Sequence, residues 1–105
     1  MTVSRCFKDT LDARIKKDSR FREALLEEAV QCLLAGELDV GKSVLRDYVS
    51  ATIGFQELAK FTAKSAKSLM RMLGRQGNPQ AKNLFEIIAR LQELEGEQLK
   101  VTATR

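Results

Sequence analysis

Two short amphipathic patterns meet across a tight polar break in residues 55–79, FQELAKFTAKSAKSLMRMLGRQGNP, and no other stretch restricts the fold of this chain so narrowly. The first reads as a helix over residues 57–61, with Leu58, Ala59 and Phe61 on a face that can be buried. Thr62, Ala63 and Lys64 form the break. Ser65 is suited to cap a second helix, because its side-chain oxygen can accept from the free backbone donors of the next turn. That helix runs to residue 73, with Leu69, Met72 and Leu73 on one face and Ala66, Lys67, Ser68 and Arg71 pointing largely away. Two short helices at a steep angle, the second exposing small, polar and cationic side chains, match the helix-turn-helix layout that enters a major groove.

The rest of the chain also reads as helix. Its 105 residues include one proline and are rich in Ala, Leu, Glu, Lys and Arg, and 44% hydrophobic content suffices for one core. The expected fold is therefore all-α, a single domain of five to six helices containing the helix-turn-helix of residues 55–79. Residues 1–36 form an N-terminal helical arm and packing helix, 37–96 the helix-turn-helix core, and 97–105 a tail. No apolar run approaches the roughly 18 residues that span a bilayer, and the N-terminus is charged rather than signal-like, so a cytoplasmic protein with no membrane contact is expected.

Helical spacing places the elements in order. Residues 4–17 carry one apolar stripe, Phe7, Leu11 and Ile15, which must dock on the core, on a partner chain, or on both. Asp18 and Ser19 offer a break and cap before a helix over 20–35, which Gly36 ends as a left-handed cap. Asp39 can cap a helix over 40–52 that buries Val44, Leu45, Tyr48 and Val49, and Gly54 stops it. Asn78 and Pro79 suit the cap and first turn of a last helix, whose Leu84, Ile87, Ile88, Leu91 and Leu94 share a stripe that ends near Gly96. Leu99 and Val101, in an alternating polar setting, fit either an edge strand or a frayed end.

Charge sharpens the picture. Residues 23–58 hold two Lys/Arg against seven Asp/Glu, whereas residues 59–82 hold six cations and no acid. A solvated helix face would mix in acids; a cationic block coinciding with the groove-reading pattern is what phosphate binding requires. Catalysis has little to stand on, since histidine is absent, GxGxxG and GxxxxGK[ST] are missing, and the carboxylates fall at spacings of solvated helix faces. No enzyme, cofactor or metal site is expected. Cys6 and Cys32 lack CxxC spacing, and Cys32, in an apolar register, reads as a core thiol.

ELAKFTAKSAKSLMRMLGRQGNP over 57–79, followed by NLFEIIARL over 83–91 and preceded by RFREALLEEAVQCLLAGELDVGKSVLRDYVSATIGF, resembles the Xre-type helix-turn-helix antitoxins of HigA-like toxin–antitoxin modules, in their addiction-module antidote branch. Two positions depart from that family's pattern. Its usual turn glycine is Ala63 here, which predicts strain if the site takes positive φ, and Lys64 stands where such turns commonly bury an apolar residue. The resemblance implies a dual role: neutralising a cognate toxin encoded beside it, such as a ribosome-associated RNase or a gyrase poison, and repressing the shared operon as a dimer or toxin complex.

Spacing and charge by themselves reach only the DNA half of that role. Gln56 and Lys60, with Lys64, can hold phosphates; Ser65, Ala66, Lys67, Ser68 and Arg71 are placed to face the groove; Arg75, Asn78 and Lys82 would hold the flanking backbone. Met70 fits a packing residue at the rim or a contact with a thymine methyl equally well. Leu84, Phe85, Ile88 and Leu91 are expected to form a homodimer face, since palindromic operators are read by two-fold dimers. The alternative from another class is a helical protein–protein interaction module without DNA binding, docking through Phe7, Leu11 and Ile15.

Overall fold

A computed structural model describes the backbone of residues 5–104 and the side chains of residues 10–104. All regular structure among them is helical: α1 (Arg5–Lys17), α2 (Ser19–Leu34), α3 (Leu38–Ala51), α4 (Phe55–Lys60), α5 (Ala66–Met72) and α6 (Ala81–Glu95). The all-α expectation holds.

Local chemistry explains most of the boundaries. Asp18 caps α2, its side chain accepting from the Phe21 amide at 3.1 Å. Gly36, Gly54 and Gly96 take positive φ where α2, α3 and α6 end, a conformation that side chains with a Cβ resist. Two caps fall elsewhere than expected. Asp39 lies inside the first turn of α3, whose N-cap is Glu37, and α6 begins after Gln80, leaving Asn78 and Pro79 in the preceding loop. Pro79 still forbids earlier helix, because the residue before a proline is driven out of the α region.

The core is one apolar cluster. α2 contributes Leu26 and Ala29, α3 Leu45, Tyr48 and Val49, α4 Leu58, α5 Leu69 and Leu73, and α6 Leu84, Ile87, Ile88 and Leu91. α2 and α3 approach closely because Gly41 has no side chain: a Cβ there would lie 2.7 Å from Leu33 Cδ2. α1 packs on α2 and α3, with Ile15 fully buried and Leu11 half-buried. Ile15 is thus occupied within its own chain and is not available as part of a docking stripe. The side chains of Cys6 and Phe7 lie outside the described residues. Cys32 is buried, and burial, followed by the nearby Glu28 carboxylate, pushes its thiol up, so it stays protonated as a core residue. The tail after Gly96 forms no strand among residues 97–104. Leu99 nonetheless packs against the core, and its amide donates to Gln92 Oε1 at 2.7 Å.

A polar network ties the end of α6 to three other helices. Arg22 Nε donates to Glu95 Oε1 at 3.0 Å, and Arg22 Nη1 donates to the carbonyls of Ile15 and Lys16 at 3.1 and 2.9 Å, satisfying the C-terminus of α1. The Tyr48 hydroxyl donates to the same carboxylate. Burial alone would raise the Glu95 carboxyl, but the hydrogen bonds from Arg22 and Tyr48 outweigh it and hold it below its ordinary value. Burial, reinforced by Glu95, pushes the Tyr48 hydroxyl well above the usual tyrosine range, so it remains a donor.

Because the folded carboxyl of Glu95 is depressed, its contribution is present above the unfolded value of about 4.3 and is lost as pH falls through the lower folded value. Glu95→Gln should therefore reduce stability by about 2–3 kcal/mol near neutral pH, with the gap to wild type closing in acid. Urea midpoints across an acid-to-neutral series measure this, and a gap that stays constant into acid would remove the ion pair as its cause.

Candidate nucleic-acid interface

α4 and α5 have six and seven residues, too few to hold helical shape alone. Each is held by burial on one side. Leu58 anchors α4, and Leu69 and Leu73 anchor α5 and its cap, all at 0% exposure. Phe61 departs from the expected buried face: α4 ends at Lys60, so Phe61 stands at its cap, half out of the core. Thr62 joins the turn to α4 through its amide on the Ala59 carbonyl at 3.3 Å, and its hydroxyl oxygen accepts from the Lys64 amide at 3.4 Å. Ala63 does not take positive φ, so the turn is made without the strain that a missing glycine predicts. Ser65 caps α5 as expected, its side chain accepting from the Ser68 amide at 3.1 Å.

With Leu69 and Leu73 turned inward, Lys67, Met70 and Arg71 are exposed at positions i, i+3 and i+4, one stripe of a helix surface. Met70 therefore stands with the outward residues rather than in the packing rim. Of the other residues named from sequence, Gln56, Lys60, Ser65, Arg75, Asn78 and Lys82 are exposed, while Lys64, Ala66 and Ser68 are half-buried. Lys60 is engaged by Glu57 at 3.0 Å, an exposed i, i+3 pair that a stronger anion can displace at little cost. The expected dimer face does not survive as a unit. Leu84, Ile88 and Leu91 are consumed by the core, and Phe85 alone of the four is exposed, at 62%.

Two further residues bear on α5 from α3. Lys42, 2% exposed, donates to the carbonyls of Gly74, at 3.1 Å, and Gly77. One turn later Arg46 Nη1 donates to the Leu73 carbonyl at 3.2 Å. In the sequence the two stand out only as cations within an acidic segment. The available signal is register: Lys42 falls in the inward stripe of the partly buried Leu38 and the buried Leu45 and Val49, where a cation needs buried acceptors. Beside them lies an open cleft of about 420 Å³, lined in part by Asp39, Ser43, Arg46 and Arg75.

The described residues contain no group of three or more His, Cys, Asp or Glu able to hold a metal ion, and none of their helices is long and apolar enough to cross a membrane. Compared with protein families, curated proteins and solved structures, the chain matches none.

Removing the α5 cap isolates its contribution. Ser65→Ala should lower stability by about 1 kcal/mol, read as a reduced urea midpoint with unchanged slope, because the Ser68 amide loses its acceptor. An unchanged midpoint would show that water replaces the cap.

Proposed function

We propose that the protein is a DNA-binding transcriptional regulator, an antitoxin that neutralises a cognate toxin and represses the operon encoding both. The observation that carries the DNA half is the outward stripe of α5. Lys67 and Arg71 are exposed on a helix pinned from behind by Leu69 and Leu73, within a block that contains cations and no acid. Arg71 can present a forked donor pair to guanine acceptors, and the small Ser65, Ala66 and Ser68 allow the helix to approach the bases closely. Lys67, Arg75 and Lys82 neutralise phosphate on either side.

A two-fold operator calls for a homodimer. Of the residues first assigned to that contact, Phe85 is the one with area to offer a second copy. The toxin-binding half draws on the resemblance of residues 57–79 and 83–91 to the antitoxins. The reading as an interaction module without DNA binding loses one anchor of its docking stripe, because Ile15 is buried in its own chain.

A duplex covering the DNA upstream of the protein's own reading frame tests the regulator. Affinity should fall steeply from low to moderate salt, and Arg71→Ala should weaken it by about 1–3 kcal/mol, while Lys67→Ala should reduce the salt slope by about one. Absence of any mobility shift at low salt, with the fold intact, would sink the regulator. Co-expression with the adjacent reading frame tests the antitoxin: the neighbour should be toxic alone, and silent and co-purified with this protein. A harmless neighbour that does not co-purify removes the basis for that half.

A further inference from the structure

We infer that Lys42 and Arg46 of α3, together with Gly77, form a clamp that sets the position of α5, so that Lys42 is a positioning residue for DNA binding which never touches DNA. Its functional consequence rests on the protein being a DNA-binding regulator, though the clamp itself is a property of the fold.

The C-terminus of a helix leaves carbonyls without partners and carries partial negative charge. At α5 those groups meet two cations from one neighbouring helix. Arg46 takes the Leu73 carbonyl, and Lys42 takes the Gly74 and Gly77 carbonyls of the adjoining loop. The loop also closes on itself and on α5: the Gly74 amide donates to the Arg71 carbonyl at 3.1 Å and the Gly77 amide to the Gly74 carbonyl at 3.0 Å. Gly77 lies so close to the last turn that a Cβ there would stand 2.2 Å from the Arg71 carbonyl oxygen and 2.6 Å from that of Met72.

A buried ammonium is expensive to leave without acceptors, and Lys42 is the one buried charged side chain among the described residues. Its position therefore fixes where the two loop carbonyls must be. Asp39, 3.7 Å from the same ammonium, is 90% exposed and offers only a distant counter-charge, so the carbonyls are its principal partners. The residue whose carbonyl sits beneath Gly77 is Arg71, and Arg75 lies between the two clamped glycines. Both are among the proposed DNA contacts. A loosened clamp lets the outward stripe shift against the core, and misplacement by about 1 Å is enough to lose much of an oriented interaction.

The test uses the full chain with Lys42→Met, which keeps the apolar stem and removes the ammonium, and with Arg46→Met, which removes the second cation and leaves Lys42 in place. Both should bind the upstream duplex about 10- to 100-fold more weakly than wild type, with salt slopes parallel to it, since no phosphate contact is lost. Amide hydrogen exchange should show protection lost over residues 69–77 and kept in α2. Wild-type affinity and protection in Lys42→Met would overturn the clamp. A shallower salt slope would overturn it too, by making Lys42 a phosphate ligand. If Lys42→Met does not fold, Arg46→Met decides by the same two measurements. Should wild type itself bind no DNA, the regulator has failed, and the exchange data still decide whether the clamp exists.

Discussion

Neither α4 nor α5 is long enough to repay the nucleation of a helix from its own hydrogen bonds, so the candidate DNA-contacting unit exists only as long as Leu58, Leu69 and Leu73 stay buried. Each such burial stabilises by about 1.5–3 kcal/mol. The surface against which they pack comes from α2, α3 and α6, elements outside the pair itself. That dependence also orients the unit. With one side of α5 committed to the core, Lys67, Met70 and Arg71 have only the outside to occupy.

Apolar packing fixes which side of α5 is inward but is weak on its pitch and end point, because dispersion contacts are non-directional. Directional contacts complete the geometry at two places. Arg22, Tyr48 and Glu95 lock the last turn of α6 onto α2 and α3 and satisfy the end of α1. Lys42 and Arg46 do the corresponding work at the end of α5. In both, a charged group is held in or near the core, where an unmet partner is costly, so the arrangement tolerates few alternatives. The turn between α4 and α5, residues 61–65, relies on a modest cap and a threonine hydrogen bond.

Helix number, order and most boundaries were legible in the spacing of apolar residues and in Asp18, Gly36, Ser65 and Gly96, since capping and periodicity are local effects. Misreadings arose where two local signals competed or where burial was already claimed elsewhere. Asn78 and Pro79 make a good start to a helix, yet α6 begins at Ala81 with Gln80 as its N-cap, and the Gly77 carbonyl just ahead of them is held by Lys42. Leu84, Ile88 and Leu91 resemble a spare apolar face when α6 is viewed alone. They are spent on a core that also serves α4 and α5, and Phe85, off that stripe, is left outside.

By itself the sequence determined the all-helical class, the cap that opens α5, the separation of inward leucines from outward cations on that helix, and the concentration of positive charge around it. These follow from periodicity and composition, which act over a few residues. Tertiary structure decided that Ile15 serves its own core, that Glu95 meets Arg22 across 73 positions of chain, and that Lys42 turns inward to hold the carbonyls beyond α5. Such pairings depend on which distant groups share a buried volume, and a carboxylate or an ammonium on a helix carries no mark of its partner until the helices are packed.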